Sequence, residues 1–440
     1  VALGSQVANA SLISEITGLT HDIFVGQVKN NVRRESPTAS LFTDALPSGD
    51  YRLEGQNMVF AVYLDHKTGT VFTNGNLPDH TAMDAVQGKI TPVRRFARLA
   101  SDNFVEKRAS GPGAFEDLGS QIFDLLWDSW KSSDIRAAIG PASGLLGLCS
   151  SRTSSTVFVI KDAFGNTGTN PCSHISAGSI LCWYDLTATA GIDGAGVVSS
   201  VAYSTSTITM ASATTWEPGD TLDVGDYIYF ATTSNIATDY FVAEKDLAPN
   251  GLGTIVDPAA ASSTVFNISE TTSPRWKPYR EASSTFDHLE LTEHHQKLAA
   301  KRGFAVTPQT DVCVTFPSNL AQLARSLMGF QQQAYTGEKL YGGYGSIVIS
   351  GMEIVPDHFF YHNVLMTLNK ESLFRINLGD DADFWGEDGS MWSRLADFDG
   401  KEAYVREYMN FFCNHRGANG ALTGITTDVT DTGWEPVPNY

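Results

Sequence analysis

Three histidines, His288, His294 and His295, fall in one stretch that reads as helical, and clustered imidazoles are a common start for a metal site. No carboxylate completes a ligand set at the usual spacing, so solvated histidines are the preferred reading. Asp380-Asp381-Ala382-Asp383, followed by Gly386, has the acid density of a calcium loop. Trp385 stands where such a loop wants an oxygen ligand and Trp392 replaces its closing glutamate, which excludes the EF-hand form. Five cysteines, Cys149, Cys172, Cys182, Cys313 and Cys413, are odd in number, widely spaced and contain no CxxC. They predict free, mostly buried thiols, with neither a zinc site nor a disulfide framework. The patterns GxSxG, HExxH, GxxxxGK[ST] and GxGxxG are absent, so nothing orders the many Ser, His and Asp residues into a triad or phosphate cradle. Asn267-Ile268-Ser269 is a glycosylation sequon, which has no meaning outside a secretory pathway. The chain reads as a non-enzyme. It has no assigned catalytic, cofactor-binding or metal residue, and no cofactor is expected.

Two further groups carry binding chemistry. Arg94, Arg95 and Arg98 crowd one extended run. They suit either nucleic acid or acidic patches on a neighbouring subunit. On a chain of net charge −19 the acidic neighbour is preferred. The aromatics Trp183, Tyr184, Trp216, Tyr227 and Tyr229 either stack on sugars or fill the interior of a small barrel; ordinary strand packing favours the interior.

The elements that would position these groups can be read in order. At 440 residues, 42% hydrophobic and 18% charged, the chain is globular and long enough for two or three domains. No apolar run is long enough to span a bilayer, and residues 1–10 lack the basic start of a secretory leader. The region 115–139 repeats apolar residues at helical spacing, through Phe115, Leu118, Ile122, Leu125, Leu126 and Trp130, and Gly140-Pro141 ends it. Upstream, residues 56–64 and 86–104 read as two long strands joined through a turn at 65–69 and a polar tip at 74–83. Such a ribbon has little of its own to bury it and is expected to lie on another subunit. Residues 1–49 read as an arm that needs a partner surface. Short strands with Gly-Asp turns between 150 and 237 predict a small β-barrel or sandwich, inserted because α/β material resumes after it. A helix over 286–302 closes at Gly303, and Ser318 is expected to cap a second over 319–328, closed by Gly329. Strands are expected at 311–316, 346–355, 364–368, 372–378, 391–395, 404–413 and 421–426.

In this order the parts resemble the major capsid proteins of tailed bacteriophages, which have the HK97-type fold. The resemblance lies in Val71-Phe72-Thr73-Asn74-Gly75-Asn76-Leu77-Pro78 at the hairpin, in 88–99 on its return, and in the long helix. It continues through Gly251 to Val256, Phe266-Asn267-Ile268-Ser269 with Trp276, Leu368-Asn369-Lys370-Glu371-Ser372-Leu373, and the strand 404–413. It covers most of the chain from about residue 50 onward. It implies an α+β class and four parts. These are an N-terminal arm over 1–50, an E-loop over 51–105, a peripheral domain over 106–149 and 364–440 with its spine helix at 114–139, and an axial domain at 238–363. The β-barrel at 150–237 looks like an insertion into this framework.

The resemblance also implies a function: self-assembly into hexamers and pentamers of an icosahedral head enclosing double-stranded DNA. Implied partners are other copies of the chain, a decoration or cement protein, a scaffold and a portal. Contact with packaged DNA would be weak and non-specific, and no membrane is involved. The implied location is the virion capsid, assembled in the bacterial host cytoplasm. Lys67 and Lys89 lie in the region of the family's cross-linking lysine, but no motif fixes an asparagine partner, so that chemistry is not transferred. Two other readings remain: a carbohydrate-binding or carbohydrate-active protein using the β-rich insertion, and an encapsulin-like nanocompartment shell.

Overall fold

The computed structural model describes residues 36–45, 52–54, 57–65, 84–102, 118–154, 156–164, 172–185, 192–215, 222, 224–234, 241–257, 264–283, 286–331, 347–349, 352–378, 383–384, 393–394 and 400–425. The strand Gly400–Cys413 organises the first of two six-stranded sheets. It pairs antiparallel with Val93–Asp102, from Gly400↔Asp102 to Met409↔Val93. Its other edge takes Leu373–Asn377, and Thr43–Ala45 adds beyond that as a parallel strand. Alternation along it buries Ala403, Val405, Glu407 and Met409 on one face.

The hairpin differs from its sequence reading in two ways. Its return run is broken at Thr91-Pro92. Asp84–Ile90 pairs with Asn57–Asp65, whereas Val93–Asp102 leaves to join the Gly400–Cys413 strand. Proline cannot donate to a ladder, and here it marks the change of sheet. The expectation that the ribbon buries only on another subunit also fails at its base. Met58, Phe60, Val62 and Ile90 are buried in the chain's own main core. Phe60 lies edge-on to Phe266 at 6.1 Å and 5.5 Å from Phe412 between ring centroids. Gly88 makes room for that ring, since a Cβ there would overlap its outer carbons. On the opposite face of the same strand from Val62, Tyr63 is 68% exposed. The expected turn and tip, 66–83, lie outside the described residues.

The arm reading is corrected at its root. Thr38 is fully buried, its backbone N–H donates to Asp357 Oδ2 at 3.2 Å, and the Ser36 hydroxyl donates to the same oxygen. Residues 36–45 are therefore held by their own chain, while 1–35 lie outside the described residues.

The spine helix is observed as Leu118–Ile139, with residues 114–117 outside the description. Trp130, Ile135, Ala138 and Ile139 are buried on it, and the Gly140 N–H closes it onto Arg136 O at 2.7 Å. Six strands between Gly147 and Phe230 then close a barrel. Phe158, Ile160, Leu181, Ile208 and Ile228 fill it. The chain returns to the helix end at Gly251, where a Cβ would collide with the carbonyl oxygens of Ala137, Gly140 and Ala138. Only glycine permits that approach of one backbone to another.

The second sheet runs Tyr279–Ala282, Gly420–Thr423, Val364–Asn369, Asp311–Thr315, Met352–Pro356 and Ile347–Ile349. Residues from both sides of position 363 hydrogen-bond within it, so a boundary drawn at 363/364 passes through one continuous sheet. The helix His288–Arg302 covers it, starting two residues later than the expected 286 and closing at Gly303 as expected. Asp287 accepts from the Leu289 and Glu290 amides, and Gly303 is left-handed at φ 82. The next helix is longer than expected. Pro317–Gln331 starts on proline, whose missing N–H costs nothing at a first turn, and it runs through Gly329. Ser318 is buried in its first turn and makes no capping hydrogen bond. Among the described residues no helix is long and apolar enough to cross a membrane.

Candidate functional site

The groups with chemistry meet where the spine helix, the Val93–Asp102 strand and the chain leaving the barrel converge. Arg95 sits at the centre, its guanidinium 3.7 Å from the Trp130 ring centroid. It donates to Glu407 Oε2 at 3.2 Å, to an Asp134 carboxylate oxygen and to the Trp130 carbonyl. Glu407, with 1% of its side chain exposed, also accepts from Arg375. One turn further along the helix, Arg136 Nη2 donates to Glu244 Oε1 at 2.8 Å, and its guanidinium lies 4.5 Å from the Phe230 ring centroid. Burial opposes ionisation of Glu244, but the charge and hydrogen bonds of Arg136 outweigh it and hold the carboxyl below its ordinary range. Between these clamps lies a groove of about 530 Å³, walled by 93–97, the helix, and Phe230, Val242 and Leu247. A smaller cavity of about 380 Å³ lies behind the helix, between Phe42, Lys131, Asp134 and Arg375.

The arginine run is thereby reassigned. The acidic partners expected on a neighbour are supplied within the chain: Asp134 and Glu407 for Arg95, and Glu402 for Arg98, whose Nη2 lies 2.6 Å from Oε2. Arg94 points to the opposite face and is exposed. Lys89 is exposed on Asp84–Ile90, while Lys67 lies outside the described residues.

The histidine reading is also corrected. His294 is 0% exposed and His295 6%, so neither is solvated. Burial pushes both imidazoles down to about 4, so they are neutral at pH 7. His294 Nδ1 lies 3.5 Å from Glu281, and His295 Nε2 lies 3.2 Å from Cys313 Sγ. Among the described residues, no three His, Cys, Asp or Glu side chains are grouped as a metal site would require. Of the acidic loop, only Asp383–Phe384 is described, as a short strand on Gly400–Cys413.

All five cysteines are buried and free, as the sequence predicts. Burial pushes the Cys172, Cys182 and Cys313 thiols up to about 12, which keeps them protonated and unreactive at neutral pH. The barrel aromatics divide as strand packing predicts. Trp183 and Tyr229 are 2% and 4% exposed and belong to apolar clusters, so neither presents a face to a sugar. Tyr184 is packed edge-on to Tyr229, and Trp216 lies outside the described residues.

Sequence reasoning missed a fully buried polar centre. Glu270 accepts from Arg280 through both oxygens, at 2.9 and 2.8 Å, and also from Arg416. Arg416 and Glu270 have fully buried side chains. Asp357, which receives the arm, was missed as well. Their partners lie between 10 and 321 positions away, and no local pattern announces such pairs.

No protein-family model matches the chain, and no curated protein matches it. Solved structures do match. The capsid asymmetric unit of cyanophage A-1(L) is 11% identical, with 93% of this chain and 98% of that chain covered, at a TM-score of 0.54. The capsid of a native GTA particle is 8% identical over 93% and 97%, at 0.45. The holo-SrpI encapsulin complex of Synechococcus elongatus PCC 7942 is 7% identical over 94% and 96%, at 0.42. The chain has the α+β fold of a phage capsid protein.

Proposed function

We propose that this chain is the subunit of a bacteriophage shell, assembling with copies of itself into hexamers and pentamers of an icosahedral head. The observation that carries this reading is the fold shared with a cyanophage capsid chain along 93% of this chain and 98% of that one. In the HK97-type division, 1–50 is the arm, 51–105 the E-loop, 150–237 the inserted barrel and 238–363 the axial domain. The remainder, 106–149 and 364–440, is the peripheral domain, although the second sheet ties the last two domains together.

The physical logic is burial gained on assembly. The hairpin is anchored by Phe60 and Val62 while its outer face shows Tyr63, 68% exposed, and Val348 is 61% exposed on the strand Ile347–Ile349. Covering such groups on neighbours contributes roughly 25 cal/mol for each Å² of apolar surface. Repetition over many copies turns modest contacts into a durable wall. A net charge of −19 weakens adsorption of DNA to that wall, so the enclosed genome stays mobile. Assembly takes place in the host cytoplasm, with scaffold, portal and decoration proteins as further partners.

Negative-stain microscopy of the purified protein tests the proposal. Closed shells of uniform size are expected, with nuclease-protected DNA in particles taken from infected cells. Monodisperse single chains at high concentration would refute it. Shells filled with an enzyme in place of DNA would move the assignment to a nanocompartment.

A further inference from the structure

The turn at 357–362 touches three parts of the molecule that lie far apart in sequence. Asp357 follows the strand Met352–Pro356, is fully buried, and accepts hydrogen bonds at both carboxyl oxygens. Oδ2 accepts from the Ser36 hydroxyl, the Thr38 hydroxyl and the Thr38 N–H, so the arm root rests on it. Oδ1 accepts from the Phe359 N–H at 2.9 Å, which fixes the turn. The Phe359 ring stacks on His174 with centroids 5.5 Å apart. Two residues on, Tyr361 meets Phe164 edge-on at 4.6 Å, and its hydroxyl donates to Ile139 O, at the end of the spine helix, at 3.0 Å. Phe164 and His174 lie between the barrel strands Val157–Asp162 and Ile180–Tyr184. One short turn therefore holds the arm root, the helix end and the barrel.

We propose that this turn is a latch coupling the arm root to the seating of the barrel: when residues 36–38 leave Asp357 the barrel lifts from Phe359 and Tyr361, and a barrel drawn off those rings loosens the arm. The physical reason lies in the carboxyl group. Without the arm, Oδ2 of the buried Asp357 loses three donors, and a buried acceptor stripped of its donors carries a full desolvation penalty. The turn relieves that penalty by opening toward water. Opening breaks the bond from the Phe359 N–H to Oδ1 and moves the Phe359 ring off His174. The same contacts act in reverse, because a coupling free energy between two sites is reciprocal. A second tether does not use the turn. Arg136 holds Glu244, whose own N–H donates to Phe230 O on a barrel strand at 2.9 Å. Release at the turn therefore tilts the barrel without detaching it.

Amide hydrogen exchange of the full chain tests the latch. Ser36→Ala with Thr38→Val removes both hydroxyls from Oδ2 and leaves the barrel residues unaltered. It is expected to raise exchange about tenfold at 172–176, where the Ile175 N–H donates to Cys172 O at 3.0 Å. In the other direction, His174→Ala with Phe164→Leu should raise exchange about tenfold at 36–42, where the Thr38 and Leu41 amides are hydrogen-bonded. Val224→Ser, a barrel position that is 65% exposed, should leave 36–42 unchanged. The strand Gly400–Cys413 serves as the reference for general loosening. Should either pair unfold the chain, Thr38→Val and His174→Ala alone carry the same test with a smaller rise. A rise confined to the altered end, a rise matched at the reference strand, or a response of 36–42 to Val224→Ser would overturn the coupling. The readout does not require shells, so it stands or falls separately from the assembly proposal.

Discussion

The guanidinium of Arg95 stacks on Trp130 at 3.7 Å while it bonds Glu407, joining the spine helix to the central strand of the first sheet. Arg95→Met is expected to leave Asp134 without its cation and Glu407 with Arg375 alone, and to cost about 1–3 kcal/mol, read by denaturant unfolding. Arg95→Lys should rescue little, because an ammonium neither stacks as a plane nor forks between two carboxylates. Full stability in Arg95→Lys would show that a point charge suffices.

Glu270 lies between Arg280 and Arg416, with its side chain fully buried. Glu270→Gln should cost at least as much as the loss at Arg95, because two buried cations then face a neutral amide. The expected readout is protein that accumulates as insoluble material or melts far below the parent. Recovery by Arg416→Met in the double variant would confirm that the unpaired charge causes the loss.

Acid should loosen the second sheet. Burial depresses both His294 and His295 to about 4 from an ordinary value of 6.5, so the folded chain resists protonation that the unfolded chain accepts. Their contribution is therefore complete above about pH 6.5 and is lost as the pH falls toward 4. Melting temperatures between pH 8 and 4.5 should fall across that window. A His295→Gln variant should show a shallower slope, and an unchanged slope would shift the cause to other groups.

Two hairpin variants separate folding from assembly. Gly88→Val places a branched side chain against the Phe60 ring and should destabilise the isolated subunit. Deleting 74–83 should leave a folded subunit that forms no shells, since the anchoring residues Met58, Phe60 and Ile90 remain. Normal shells from the deletion would remove the role assigned to the tip.

What could be read from the sequence follows the range of the interactions. The end of the helix His288–Arg302 is legible because Gly303 acts directly beside it, whereas its start lies two residues beyond the expected 286, where Asp287 caps it. The strand Gly400–Cys413 was legible in most of its length from alternation, and the buried thiols from their spacing. The change of sheet at Thr91-Pro92 was not, because two strands separated by two residues read as one run. Burial of His294 and His295 was hidden by the charged residues around them on the same helix. Arg95 finds Asp134 and Glu407 at separations of 39 and 312 residues, which no local pattern encodes. The long helix and the order of strands, taken together, still pointed to the fold that the structure has.

The parallel pairing of Thr43–Ala45 with Leu373–Asn377 has a bearing on synthesis. The barrel draws all its strands from 147 to 230 and can close soon after they leave the ribosome. The first sheet cannot, because its early strands wait for residues up to Cys413. At about 5–20 residues per second, those strands stay without partners for tens of seconds. The middle of this polypeptide should thus acquire its shape before either end, and the early strands are the part that nascent-chain chaperones would have to guard.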